Sequence, residues 1–471
     1  MEPIMIKMPA DAARIIEKLE QAGYEAYAVG GCVRDSVLGR EPEDWDITTS
    51  ASPMQVKAIF PRTIDTGIEH GTVTVMEHRI GYEVTTYRVD GRYEDGRHPS
   101  SVTFTRNLAE DLLRRDFTIN AMAYNPRTGL VDRYDGMGDL ERRCIRCVGV
   151  PEERFAEDAL RILRALRFAS QLGFSIEEQT LAAMRMMAPR LEAVSAERVR
   201  VELVKLLGGA HPELLVTAYE TGVTRVFLPE WDTMMETEQR NPHHLYGVGV
   251  HTIKTILAMH EEPAYQEADE HERMVYDMTM LLHDAGKPES RTTDKNGKQH
   301  FKGHPRASAA IAKKVLRRLK FDNETTDLVT ALVLYHDCRF DLEKAPDYAK
   351  AVRHVVSRVG KERMKYLFPI QRADIRGQHP SYFAESMEKV AAFEREYEKI
   401  VQKEQCVSIR DLAVDGKVLL GLGYKTGPEL GEALKRLLQI VLDDPGANTV
   451  ETLTGYASEW LAAENKDTTG E

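Results

Sequence analysis

Short runs in the first third of the chain alternate apolar and polar residues, as in EAYAVG, GTVTVM, YEVTTYRV and SVTFT, each bounded by Gly, Pro or Asp. A period of two is what a half-buried strand requires, so residues 1–150 are predicted to form an α+β domain. From Pro151 the spacing changes to steps of three and four, beginning with FAEDALRILRALRFASQLGF, and strand-like runs nearly vanish. The rest is expected to be helical: a body over 151–240, a further all-α region over 241–405 opening near Asn241-Pro242, and a tail over 406–471 opening near Cys406. The tail holds two Gly breaks and a long amphipathic helix, and its polar end is expected to fray. Between two predicted strands, DGRYEDGRHPS (Asp90 to Ser100) reads as a long hairpin loop.

Composition narrows the class. No apolar run reaches the roughly 18 residues of a membrane span, and the amino terminus shows no secretory pattern, so a cytoplasmic protein with no membrane partner is expected. The net charge of −12 argues against indiscriminate polyanion binding. A nucleic-acid partner must then be held by local basic clusters, for which residues 106–115, the trio Arg142, Arg143 and Arg146, and the series Arg161, Arg164, Arg167 are candidates. The five cysteines give no disulfide framework, and the lone Cys144/Cys147 pair is more often structural than metal-binding.

Candidate chemistry begins at Gly30-Gly31, where a strand ends and a helix starts, so that free backbone N–H groups face a potential anion. Asp44-Trp45-Asp46 follows. On a strand, Asp44 and Asp46 would project from one face about 7 Å apart and could grip metal ions. Two Mg²⁺ ions held there could activate a hydroxyl and steady a departing pyrophosphate. Glu83 is the candidate third carboxylate. In RRDFTINAMA, Arg114 and Arg115 offer forked donors to phosphate oxygens, and Asp116 can orient them or cap a helical FTINAMA segment.

Asp158, Arg161, Arg164 and Arg167 recur every three residues on the predicted helix. An intrahelical salt-bridge face is the commoner explanation of such spacing. A sharper one also fits: an Asp accepts from an exocyclic amine and an Arg donates to a ring nitrogen or carbonyl, matching the Watson–Crick edges of cytosine and adenine. Uracil and guanine would leave groups unpaired, a rejection of several kcal/mol.

The strings AVGGCVRDSVLG, EDWDITTS, RRDFTINAMA and EDALRILRALRF, in this order and spacing, resemble the motifs of the class II tRNA nucleotidyltransferase and bacterial poly(A) polymerase family over about residues 20–240. The resemblance implies a palm-like nucleotidyltransferase head followed by an all-α neck and body. It implies that Asp44 and Asp46 are catalytic metal ligands and that Gly30, Gly31, Arg34 and Arg115 bind the nucleotide. Asp158 and Arg161 would be an amino-acid template for C and A, with Arg164 and Arg167 supporting it or the phosphates. SAERVRVELVKLL resembles the neck helix, with Glu197 and Arg198 in its motif. The segment LAVDGKVLLGLGYKTGPELGEAL is similar to the tail of CCA-adding members, where it serves the tRNA. CTP, ATP and a tRNA acceptor end are the implied partners.

In the helical middle, LLHDAGKP places His283 and Asp284 beside a helix break where both can turn toward one metal. With His251, His304, His336 and a downstream Asp, this stretch resembles the HD superfamily of metal-dependent phosphohydrolases over about 241–400. The implied ligands are His251, His283, Asp284 and Asp374, the last better matched than Asp337, with His304 and His336 completing a second site for a divalent transition metal. Poly(A) polymerase, a C-only or A-only enzyme, and a phosphohydrolase with an RNA-binding head are the competing functions.

Overall fold

The computed structural model describes residues 4–91, 102–240, 245–339 and 345–469, so most of the Asp90–Ser100 hairpin loop lies outside the described residues. The chain forms two compact units that divide between Asp232 and Thr233.

The first unit is built on a seven-stranded sheet. Its strands are β1 (Ala26–Val29), β2 (Ile47–Thr49), β3 (Thr63–Gly67), β4 (Thr72–Glu77), β5 (Ile80–Thr86), β6 (Met122–Asn125) and β7 (Gly129–Asp132), in the order β3-β4-β5-β2-β1-β6-β7. Only β2 and β5 run parallel. Helix α1 (Ala10–Gln21) buries Ile15, Ile16 and Leu19 and packs against β1 and β2. Inward residues of the strands, among them Ala28, Ile47, Val73, Val75 and Val84, are almost wholly excluded from solvent. Burial at about 25 cal/mol per Å² of apolar surface is what holds such a layer together.

Two local expectations change. FTINAMA is not a helix: Thr118–Asn120 make one 3₁₀ turn and the chain then enters β6, whose residues are all buried. Tertiary burial there overrides local propensity. The acids of Asp44-Trp45-Asp46 stand just before β2 rather than inside it. Their backbone still joins the sheet, because Val29 N–H donates to the Asp46 carbonyl at 3.0 Å.

Helix α2 (Gly31–Val37) follows β1 directly. The body contributes α3 (Leu160–Leu172), which ends at left-handed Gly173, and α4 (Ala196–Leu207), packed on α3. Asp158 precedes α3, so it does not share a helical face with Arg161, Arg164 and Arg167.

The second unit is nearly all helical. Its middle contains α5 (Val248–His260), α6 (Glu270–Leu282), α7 (His304–Arg318), α8 (Asn323–Tyr335) and α9 (Met364–Arg376). Asp269 caps α6 by accepting from Glu272 N–H at 2.8 Å, and Asp322 caps α8 in the same way from Thr325. The tail holds the helices Gly416–Leu422, Pro428–Asp443 and Val450–Thr469, the last continuing through the segment expected to fray. No described helix is long and apolar enough to cross a membrane.

Candidate nucleotide and metal sites

A cavity of about 730 Å³ opens in the first unit, and Gly30, Gly31, Arg34, Asp44, Asp46, Arg115, Arg164 and Arg167 all line it. Chain geometry assembles them. Gly30 joins β1 to α2 at φ +84°, a conformation open to glycine, and a Cβ there would meet Arg115 Nη1 at 3.1 Å. The missing side chain is therefore what lets the guanidinium approach the turn.

On the acidic side, β2 and β5 pair Ile47 with Val84. One residue earlier on each strand stand Asp46 and Glu83, both exposed, on the face opposite the core. The Asp46 carboxyl is raised above its ordinary range by desolvation, against the pull of Arg115 and with the push of Glu83 and Asp44. Carboxylates crowded in this way are relieved by a cation, and an all-oxygen donor set fits a hard divalent ion.

On the basic side, one ring organises three guanidiniums: Arg167, Arg34 and Arg164 lie 4.2, 4.9 and 5.3 Å from the centre of Phe168. Arg34 also donates to Asn120 Oδ1 at 2.7 Å and pairs with its neighbour Asp35. Arg167 pairs with Glu202 of α4 at 3.0 Å.

Sequence reasoning missed most of these supports. Asp116 does not orient Arg114 or Arg115; it accepts from Arg164 Nε at 2.8 Å and from Asn120 Nδ2 at 3.1 Å. The residue that orients the arginine pair is Asp111, fully buried, 2.9 Å from Arg114 and 3.6 Å from Arg115. Asp111 lies in the short helix Leu108–Leu113, and the arginines follow three and four positions later just past its end, a spacing that was the available signal.

Asp158 and Arg161 do not line the cavity. Asp158 accepts from Leu160 N–H at 3.0 Å, starting α3, and from Arg198 of α4 at 2.6 Å. Arg161 donates to Glu157 at 2.5 Å and to the Arg114 carbonyl at 2.9 Å. Glu197 is exposed. Cys144 and Cys147 are free thiols, and burial pushes Cys147 up to about 12.

The second unit brings the other predicted ligands together. His251, His283 and Asp374 offer donor atoms that all lie within 4.8 Å of one another, and Asp284, His304 and His336 do the same. Asp284 links the two groups, with one oxygen 3.2 Å from His283 and the other 3.3 Å from His304. The rings are aimed by their far nitrogens: Nδ1 of His251, His283, His304 and His336 bonds the carbonyls of Gly377, Met280, Phe301 and Val333 at 2.7 to 3.0 Å. With Nδ1 as donor, each Nε2 faces the centre, the orientation that metal ligation needs.

Burial alone would raise both carboxyls of this cluster, yet each is held well below the usual range. For Asp284 the opposing charges are His283 and Lys287; for Asp374 they are His251, His283 and Arg339. Asp337 is in neither group.

Comparison with known proteins follows the same division. The poly A polymerase head domain matches residues 26–146, the RNA- and SrmB-binding site of polymerase A matches 173–235, and tRNA nucleotidyltransferase domain 2 matches 306–457. The CCA-adding enzyme of Lactiplantibacillus plantarum is 53% identical over 229 residues, which is 48% of this chain and 56% of that protein, so this match spans about half its length. The CCA-adding enzyme of Latilactobacillus sakei is 37% identical over 446 residues, 94% of this chain and 96% of that one. Among solved structures, the Bacillus stearothermophilus CCA-adding enzyme in complex with CTP superposes with a TM-score of 0.66 at 32% identity, covering 98% of this chain and all of that one. The Thermotoga maritima CCA-adding enzyme complexed with tRNA shares the fold at 19% identity, with a TM-score of 0.58. By its full-length likeness to the Latilactobacillus sakei protein, the chain belongs to the tRNA nucleotidyltransferase and poly(A) polymerase family.

Proposed function

We propose that the protein adds C, C and A to the 3′ end of tRNA, consuming CTP and ATP and releasing pyrophosphate. The observation that carries this is one cavity whose wall holds Asp44 and Asp46 on one side and Arg34, Arg115, Arg164 and Arg167 on the other. In this reading the four arginines and the Gly30-Gly31 turn hold the triphosphate, while Asp44, Asp46 and Glu83 hold the cations. Family members are nucleotidyltransferases that use divalent metal ions, and Mg²⁺ suits these donors. When bound, it would lower the pKa of the 3′-hydroxyl and neutralise charge on the leaving pyrophosphate. The 3′-oxygen forms the new bond to the α-phosphorus as the bond to the bridging oxygen of the β-phosphate breaks.

Asp158 and Arg161 are the proposed base-reading pair. They lie within two turns of Arg164 along the chain and would have to exchange Arg198 and Glu157 for the base edge. Residues 1–150 act as head, 151–240 as neck and body, 241–405 as an HD-type domain, and 406–471 as a tRNA-binding tail, in a cytoplasmic enzyme. The test supplies tRNAs ending before CCA, after C and after CC with single nucleoside triphosphates. Incorporation of C, C and then A is expected, whereas adenylation of unrelated RNA would favour poly(A) synthesis.

The His and Asp cluster supports a second activity, metal-dependent phosphohydrolysis, because four imidazoles and two carboxylates converge with their donor atoms pre-aimed. Phosphate release from 3′-phosphorylated RNA ends, or ring opening of cyclic-phosphate ends to a phosphomonoester, by the wild type, lost in Asp284→Ala, tests it.

A further inference from the structure

The chain as a whole is acidic, yet residues 287–320 carry eleven Lys and Arg against Glu289 and Asp294 alone. Much of this charge is arranged on α7. Ser308, Ala309, Ala312, Val315 and Leu316 bury one face of that helix. The opposite face presents Arg306, Lys314 and Arg317 in the open and Lys313 half-buried, with Lys302 exposed just ahead of the helix. No acidic residue occurs within α7. Among the described residues, none of these five cations forms an ion pair.

From Arg306 to Arg317 the row extends about 16 Å along the helix axis. Unneutralised, it repels itself, and only a partner with regularly spaced negative charge can relieve the whole row at once. A sugar–phosphate backbone has that form, and binding it releases condensed counterions. The helix also begins at His304, a member of the Asp284 cluster, which is chemistry suited to phosphate esters rather than to an acidic protein.

We infer that this face of α7 is an RNA docking surface that grips the phosphate backbone of the tRNA substrate without reading its sequence. The inference rests on the tRNA reading given above. It assigns to a named surface in the second unit an affinity that the chain's net charge would otherwise oppose.

The test uses the full-length protein and fluorescent tRNA lacking CCA, with Kd measured across a salt series. In Arg306→Gln/Lys313→Gln/Lys314→Gln/Arg317→Gln, Kd should rise on the order of tenfold or more, and the slope of log Kd against log salt should shrink by about three. A charge-conserving set, Arg306→Lys/Lys313→Arg/Lys314→Arg/Arg317→Lys, should keep both. If the fourfold variant fails to fold, Lys314→Glu and Arg306→Glu singly should each weaken binding and reduce the slope by about one. An unchanged slope with unchanged Kd overturns the inference, as does loss of binding to poly-glutamate while tRNA binding persists. A wild type that extends no tRNA overturns the transferase reading itself, whereas a wild type that extends tRNA beside an unaffected variant overturns only this surface.

Discussion

Arg164 points two nitrogens at a single oxygen of Asp116, with Nη2 at 2.6 Å and Nε at 2.8 Å, and so ties α3 to the turn that leads into β6. Burial opposes the charge on Asp116, but Arg164 and Arg161 hold its carboxyl well below the ordinary carboxylate range. A depressed folded-state pKa contributes stability that is present above the unfolded value, about 3.9, and lost as pH falls below it. Asp116→Asn should therefore cost about 1 to 3 kcal/mol at pH 7. The wild type should also lose more Tm than the variant between about pH 5 and pH 2, which thermal melts would show; equal losses would remove the ion pair from the account.

Gly30 should tolerate no side chain. Gly30→Ala combines a strained φ of +84° with a contact at 3.1 Å on Arg115. Strain of this kind costs about 1 to 3 kcal/mol. Because the displaced guanidinium is proposed to hold the triphosphate, KM for CTP should rise in Gly30→Ala as in Arg115→Ala.

Asp44→Asn and Asp46→Asn should each lower kcat by about three orders of magnitude, the several kcal/mol that a metal clamp supplies. Glu83→Gln should fall in the same direction, since Glu83 raises the Asp46 carboxyl through space. Single-turnover C addition under a Mg²⁺ titration would separate the roles: a lost ligand moves the half-saturating metal concentration, whereas a bystander leaves it in place.

In the second unit, removing Asp284 should cost more metal than removing any other ligand, because its two oxygens face both groups. Metal analysis after dialysis against Mn²⁺ should find fewer bound ions in Asp284→Ala than in His304→Ala. Equal losses would argue for independent sites.

Amphipathic elements were more legible in the sequence than their ends. Alternation marked β5, and period-four spacing marked α3, because each has one buried and one wetter face. β6 escaped notice because it is buried throughout and so shows no alternation. For the site, residue type and order identified both acids and four of the five arginines that line the cavity, Arg40 being the one left out. They could not identify what aims them, since Asp111, Asn120, Phe168 and Glu202 act through contacts that only the folded chain creates. The divergence of Asp158 from the arginine row has the same origin: its backbone is extended, at φ −143°, where a three-residue period assumed helix.

The three guanidiniums ranged around Phe168 are like charges gathered on one ring, each also paired with a carboxylate, Asp35, Asp116 or Glu202. Such a grip is indifferent to the base, since every nucleoside triphosphate offers the same phosphates. If these arginines hold the triphosphate as proposed, tight capture and correct choice are separate events, and discrimination falls on whether the bound nucleotide can be carried forward to reaction.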